Sequence, residues 1–445
     1  MNELFVFLLF STFMLILFSG FPVAFVLGGV GVLFATLGSI LVSFDVYDVA
    51  ELRTIGFVAN RTFSTISSYS LIPMSMFIFM GYMLDRSGIA ERLIEAMRRV
   101  LGKTPGGLAI AVVLIGVVLA ASTGIIGASV VLLSTIALPT MFKAGYAKWI
   151  SAGTVGATGC LGILVPPSIM LVVMGDQLRI PVGDLFMGAI IPGLLLATSF
   201  VLFIFIYALI KPSTMPKVAF DEESGVSKFD IIRDISKALF APLVLVLAVL
   251  GSIIAGIASP TEASGIGAAG ATFLAWSSGR LKWHDLRFVC YQTGRSVAFL
   301  YALIFGASCF SVVLRGYGGD EVIENALHAL PLSPEGVLFC VILIIFLLGF
   351  FLDWMEIVLI VAPLVMPILV GFGFDPVWVA ILMALCLQTS FLTPPVGMAL
   401  FYIRSAASDI SMAEIYKGAI PFVLLQLLTL AIVALYPSLV TWLPN

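Results

Sequence analysis

Long apolar runs separated by short polar connections fill nearly the whole chain. Fourteen runs can be counted, seven in each half. In the first half they fall near 4–20, 21–42, 64–84, 107–120, 128–142, 150–175 and 184–210. In the second they fall near 238–257, 260–276, 290–314, 336–350, 354–371, 377–400 and 419–442. The stretch from Lys211 to Lys237 is the one long hydrophilic connection. About 20 apolar residues cross the roughly 30 Å hydrocarbon core as a helix. The pattern therefore predicts an all-α polytopic membrane protein with a first unit at 1–210, a linker at 211–237 and a second unit at 238–445.

Two pairs of runs are too short to be ordinary spans. Leu108 to Ala120 reaches only about 20 Å at about 1.5 Å per residue. Its neighbour, Ala128 to Phe142, follows Ser122-Thr123-Gly124 with no charged loop between them. Short arm, small-residue tip and short arm read as a re-entrant hairpin over about 107–142. Exposed backbone at such a tip is tolerated only inside protein or beside a water-filled cavity. The second half has the same shape over about 336–371, with its tip near Phe351-Leu352-Asp353.

The halves also align residue by residue. A shift of 228 carries Pro139 onto Pro367, Gly145 onto Gly373, Pro166-Pro167 onto Pro394-Pro395, and Met170 onto Met398. Each predicted hairpin is followed by a long helix, 150–175 and 377–400, interrupted by its Pro-Pro pair. Duplicated bundles with Gly- and Pro-broken helices at corresponding positions mark secondary transporters, whose sites lie where the broken helices meet.

Charge placement supports an inverted pair. With both arms of each hairpin on one side, each half crosses five times, so the second half must be inverted. With an outside N-terminus, the connections 85–106, 143–149, 211–237, 277–295 and 401–417 lie inside and hold 18 of the 22 Lys and Arg residues. Only Arg53, Arg61, Arg179 and Arg315 remain outside, as the positive-inside rule requires. Both termini are then outside. The run Leu4 to Phe18 lacks a basic flank and a cleavage site, and reads as a retained helix rather than a signal peptide.

Composition agrees. Hydrophobic residues make up 61% of the chain and charged residues 11%, against about 25% charged in soluble proteins. A net charge of −3 gives a nucleic-acid partner no electrostatic basis. The five cysteines are scattered, with neither metal spacing nor a disulfide framework. No phosphate loop, nucleophile elbow or His-Glu metal motif occurs, so the sequence points to no enzyme and no cofactor.

The candidate chemistry gathers at the breaks. A Pro-Pro pair removes two backbone donors and clashes with the preceding turn, so carbonyls one turn upstream lose partners. These carbonyls, with Ser and Thr hydroxyls, are hard oxygen ligands that suit Na+. The following half-helix N-termini suit a substrate carboxylate. Two ion sites are expected. One uses Ser122, Thr123 and Gly124 with Gly159, Gly162 and Pro166; the other uses Asp353 with Thr389, Thr393 and Pro394. Ser168, Thr261, Glu262 and Ser390 are the substrate candidates. A kink with only a structural role is the competing reading of each break. Glu262 and Glu356 read either as site acids or as interfacial and helix-capping carboxylates. Asp176 and Arg179 read as a solvated pair, and Arg53 and Arg61 as an ordinary outer surface.

The run Gly145-Tyr146, then Gly159-Cys160-Leu161-Gly162 to Pro166-Pro167-Ser168-Ile169, resembles the large membrane subunits of tripartite ATP-independent periplasmic (TRAP) transporters, the DctM type. So do Leu185-Phe186 with Pro192-Gly193, Ser259-Pro260-Thr261-Glu262-Ala263, and Thr393-Pro394-Pro395-Val396-Gly397. The likeness runs in order along essentially the whole chain. It departs at the first hairpin tip, which is poorer in Ser than in many members, and at Ser259, where Thr is common. The resemblance implies an elevator mechanism of the ion-transporter superfamily, Na+ coupling and a location in the bacterial inner membrane. It also implies a separate four-helix Q subunit and a periplasmic substrate-binding protein as partners. The expected function is Na+-coupled import of small organic anions. The alternatives are a stand-alone Na+- or H+-coupled anion symporter of the same superfamily and a non-transporting scaffold or channel.

Overall fold

The computed structural model describes residues 2–44, 52–88, 93, 97, 101–102, 104–123, 126–217, 228–279 and 281–444. Among these residues all regular structure is helical. The chain opens with α1 (Asn2–Leu17), α2 (Val23–Ser43), α3 (Gly56–Ile66) and α4 (Ile72–Arg86). The stretches Leu52–Ile66 and Tyr69–Arg86 meet at a bend of 59°. The sequence pattern had placed one straight run at 64–84. The break falls at Ser67-Ser68, where the Ser68 hydroxyl donates to Asp176 at 3.1 Å.

Next come α5 (Gly107–Thr123) and α6 (Ile126–Lys143), the arms of the first expected hairpin. At 17 residues α5 is longer than the sequence suggested, because Ala121, Ser122 and Thr123 continue the helix. It still reaches only about 25 Å. Then follow α7 (Lys148–Cys160), a 3₁₀ turn at Leu161–Ile163, α8 (Ile169–Leu178) and the long α9 (Val182–Ile210).

The second half contains α10 (Lys228–Ile254), α11 (Pro260–Ser277), α12 (Trp283–Gly316) and α13 (Gly319–His328). The pair expected to form its hairpin is α14 (Pro334–Leu348) and α15 (Trp354–Gly371), the latter passing through a π-helical turn at Ile357–Val361. The broken helix follows as α16 (Pro376–Leu392) and α17 (Met398–Ala406), then α18 (Met412–Leu435) and α19 (Ser438–Thr441). By length and composition, five described helices could cross a membrane, or six with the bent pair. One of the five is α15, which the sequence reading assigned to a hairpin arm.

Residues 228 apart hold equivalent places in the chain. Gly145 closes the turn after α6 and Gly373 the turn after α15, with φ of +81° and +93°. L side chains rarely adopt that region, which explains the glycine at both points. Both proline pairs, Pro166-Pro167 and Pro394-Pro395, are joined by cis bonds.

Burial shows which helices sit at the centre. Every residue from Ile150 to Cys160 and from Trp378 to Leu392 is buried. A helix buried all round belongs inside the protein rather than against lipid. The outer helices instead present large apolar side chains, including Phe7, Phe25, Phe273 and Trp276. The halves interlock at glycine contacts. A Cβ on Gly153 of α7 would lie 2.0 Å from the Gly418 carbonyl oxygen of α18, and one on Gly306 of α12 would lie 2.3 Å from that of Ala24 in α2. Aromatic edges extend the seam, with Phe422 of α18 set against Phe200 and Phe203 of α9 at 5.2 and 5.3 Å. The Tyr317 hydroxyl donates to the Phe34 carbonyl at 2.8 Å, again joining the halves.

Candidate functional site

The first break is built by what proline lacks. α7 stops at Cys160, and the Leu161 carbonyl accepts from Leu164 N at 3.1 Å and Val165 N at 2.9 Å. The Gly162 carbonyl would next need a donor from Pro166, and Ile163 one from Pro167. Neither proline has an N–H. Ser168 answers for Ile163 by donating its hydroxyl to that carbonyl at 2.6 Å.

The second break repeats the logic with different side chains. Thr393 donates its N–H to the Ser390 carbonyl at 3.2 Å and its hydroxyl to that of Thr389 at 2.7 Å. Gly397 N–H closes onto the Thr393 carbonyl at 3.0 Å. Phe391 would need a donor from Pro395, which has none. Tyr416, from α18, donates to the Pro395 carbonyl at 3.0 Å.

Each expected hydroxyl can be placed. Thr389 donates to Leu385 O at 2.8 Å and Ser390 to Leu387 O at 2.8 Å. A hydroxyl has one hydrogen and two lone pairs. Ser168, Thr389, Ser390 and Thr393 thus spend their hydrogens on local carbonyls and keep oxygen lone pairs to offer. Two residues that sequence reasoning passed over differ. Thr158 Oγ1 and both polar atoms of the Gln388 side chain are buried with no hydrogen-bond partner. Each precedes its break by about one turn. The sequence offered a signal for Gln388 alone, a bulky amide in a run with no charged residue; Thr158 looks like Thr154 four residues before it.

The hairpins lie directly on the broken helices. Gly159 faces Val130 of α6, whose Cγ2 would be 2.4 Å from an added Cβ, and Gly116 of α5 faces the Thr158 methyl. In the second half, Ser390 Oγ occupies the space a Gly349 side chain would need. Cys386 Sγ lies 3.2 Å from the Ile342 carbonyl of α14. The two broken helices also touch. Leu392, which ends α16, and Ile403 of α17 fill the space beside Gly156 of α7.

Asp353 caps α15, accepting from Trp354 N at 2.8 Å. One turn on, Glu356 is 2% exposed and its Oε2 has no hydrogen-bond partner. It borders an apolar cavity of about 250 Å³ lined by Phe10, Phe13, Leu348, Leu352 and Ile360. Ser122 and Thr123 end α5, but their side chains lie outside the described residues, as does all of Gly124.

Two candidates stand apart from the breaks. Thr261 and Glu262 begin α11, which packs on α4 and α10 rather than on either hairpin. Thr261 donates to the Tyr69 carbonyl at 3.2 Å. Glu262 forms a capping box, accepting from Ser259 N and Oγ, both at 2.8 Å. The capping reading of Glu262 is therefore the one the structure displays, whereas Glu356 is a deeply buried acid. The solvated Asp176–Arg179 pair is corrected. Asp176 accepts from Ser68 and Gln177, while Arg179 is the exposed left-handed cap of α8 with φ of +57°.

The centre thus offers carbonyl and hydroxyl oxygens, an orphaned amide and two acids. Among the described residues no three His, Cys, Asp or Glu gather. Hard, mostly neutral oxygens suit a small hard cation and a hydrogen-bonding anion better than a soft metal.

Comparison with known proteins agrees with this architecture. The family model for the tripartite ATP-independent periplasmic transporter, DctM component, matches residues 10–439. The chain belongs to this family. It is a multi-pass membrane protein of a transporter family. It is similar to the C4-dicarboxylate TRAP transporter large permease protein DctM of Pseudomonas aeruginosa, at 32% identity over 87% of this chain and 89% of that one. The isethionate TRAP transporter permease protein DctMQ of Oleidesulfovibrio alaskensis is 28% identical over 97% of this chain and 65% of its own length. Among solved structures, the YdaH transporter of Alcanivorax borkumensis, described as having an unusual topology, superposes with a TM-score of 0.65. It shares 14% identity and covers 92% of this chain and 96% of that one; this likeness concerns the fold alone.

Proposed function

We propose that this chain is the transport core of a Na+-coupled importer of small organic anions. One observation carries the reading. Two proline-broken helices, each covered by its own hairpin, meet at the centre of the protein and leave carbonyl and hydroxyl oxygens there. On this reading the halves 1–210 and 238–445 are inverted repeats, and the hairpins and broken helices move as an elevator. Na+ takes lone pairs of Thr389, Ser390 and Thr393 with the Asp353 carboxylate in one site. In the other it takes the Gly162 carbonyl and Thr158 with the first hairpin tip. Paired half-helices supply partial positive charge for the substrate anion.

Related large permeases are named for C4-dicarboxylate, isethionate, ectoine and sialic acid transport. A small carboxylate or sulfonate is the substrate class this likeness favours. The partners are a Q-type membrane subunit and a periplasmic binding protein, with the complex in the bacterial inner membrane and both termini periplasmic. Liposome reconstitution tests the reading. Uptake should need the Q chain, a loaded binding protein and an inward Na+ gradient. Uptake by this chain alone would favour a stand-alone symporter, and uptake that follows a pH gradient but ignores Na+ would overturn the coupling.

A further inference from the structure

The cavity of about 250 Å³ beside Glu356 lies between four helices. Phe10 and Phe13 of α1 and Leu327 of α13 form one side, and α14 and α15 form the other with Leu348 and Ile360. Of the residues that line it, only Glu356 is polar. That acid is 2% exposed, and its Oε2 has no hydrogen-bond partner. Among the described residues no Lys, Arg or His forms an ion pair with it, or with Asp353 one turn before it. Directly after Glu356, α15 winds through its π-helical turn, which supplies Ile360 and Val361 to the cavity wall. Such turns are rare and gather at functional sites.

A buried carboxyl without a partner is costly. Water settles in a cavity where two to four polar groups hold it, and this lining offers a single carboxyl. A hydrocarbon body with one cationic donor at its end matches both the apolar wall and the lone acid. The volume sets its length. A cavity of about 150 Å³ holds benzene, so one of about 250 Å³ holds roughly ten non-hydrogen atoms. A chain of about eight carbons ending in an ammonium group is of that size. Ile344 of α14 lines the cavity and is 48% exposed, so an amphiphile dissolved in the bilayer can enter from that side.

We propose that this cavity is a binding site for a primary alkylammonium amphiphile, its chain packed against Phe10 and Phe13 and its nitrogen on the Glu356 carboxylate. With α1 and α13 on one side and α14 and α15 on the other, the occupant ties the two sides together and slows any movement between them. The binding site stands without the transport reading; its effect on uptake rests on that reading.

Octylamine, butylamine and octanol are the probes, added to the purified chain in nanodiscs of neutral lipid. Binding is read by titration calorimetry against empty discs and by the melting temperature. The wild type should bind octylamine at least about tenfold more tightly than octanol, the scale of a hydrogen bond to a charged group. Butylamine should bind roughly a hundredfold more weakly than octylamine, because each buried methylene is worth about fourfold. Glu356→Gln keeps the size of the side chain and should erase the preference for octylamine over octanol. Leu348→Phe fills part of the cavity and should weaken both. In the reconstituted complex octylamine should lower maximal uptake without raising KM, and Glu356→Gln should resist it. Equal binding of octylamine by the wild type and Glu356→Gln, or equal binding of octylamine and octanol by the wild type, overturns the site and leaves the transport reading standing. Octylamine that binds as expected but leaves uptake unchanged overturns the restraint on movement. A complex with no uptake overturns the transport reading and leaves the binding measurements to decide the site.

Discussion

The contact between Gly349 and Ser390 allows a quantitative test of how the second hairpin rests on its broken helix. A Cβ built on Gly349 would lie 2.2 Å from Ser390 Oγ, 2.9 Å from Ser390 Cβ and 3.3 Å from the Ile345 carbonyl. Carbon–oxygen contacts normally begin beyond 3 Å, so Gly349→Ala must lift the turn or rotate Ser390. Rotation would break the Ser390 bond to Leu387 O on a helix with no free face. Overpacking of this kind costs about 1–3 kcal/mol. Ser390→Ala removes the worst contact and leaves the 2.9 Å one. The double variant should therefore recover roughly 1 kcal/mol, within the usual range for touching residues. Denaturation in detergent of the four proteins gives the coupling, and uptake gives the Na+ half-saturation of each. Gly349→Ala should weaken Na+ activation as well as stability, because the lifted turn carries Asp353 with it. Strict additivity, within about 0.5 kcal/mol, would show that hairpin and helix do not touch at this point and would refute the reasoning.

Three further outcomes follow from the same structure. Thr158→Val keeps the shape and removes a buried hydroxyl without a partner, so it should raise the melting temperature in Na+-free buffer and also raise the Na+ half-saturation. An unchanged Na+ requirement would remove Thr158 from the first site. Glu262 accepts two hydrogen bonds from Ser259 that close the first turn of α11, so Ser259→Ala should lower the melting temperature while Ser259→Thr, which keeps the hydroxyl, should not; equal melting of the two variants would contradict the capping assignment. For topology, a Lys228→Cys variant and the native exposed Cys290 should both react with a membrane-impermeant thiol reagent only from the cytoplasmic side, and reaction from the periplasm would invert the proposed orientation.

What could be read from the sequence divides along a physical line. The breaks at Pro166 and Pro394 were legible because a missing N–H is covalent and needs no context. The short first pair of helices was legible from length, although α5 runs on through Ala121, Ser122 and Thr123, residues the helix tolerates and a hydropathy reading discards; α15 was not, because its 18 residues are long enough to cross a membrane. The capping role of Glu262 was open in the pattern Ser259-Pro260-Thr261-Glu262, since a capping box is local. The bend at Ser67-Ser68 was not legible, because its partner Asp176 is 108 residues away. Thr158 and Gln388 were missed for a related reason. Each is marked by burial or by lack of a partner, and both arise only when distant helices close around it. Asp176 was paired with Arg179 on sequence nearness, but the left-handed turn at Arg179 exposes that side chain.

The glycine seam between α7 and α18 limits what in this protein can slide. Where Gly153 meets Gly418, backbone rests on backbone with no intervening side chains. Side chains let packed helices shear by changing rotamer, and this joint has none to change. The first broken helix and the penultimate helix are therefore keyed together like cog teeth, and must travel as one body in any cycle. Displacement has to be absorbed at surfaces with deformable filling, such as the Phe10, Phe13 and Leu352 walls around Glu356. The chain thus places its rigid joint between the halves and its yielding one beside the second hairpin.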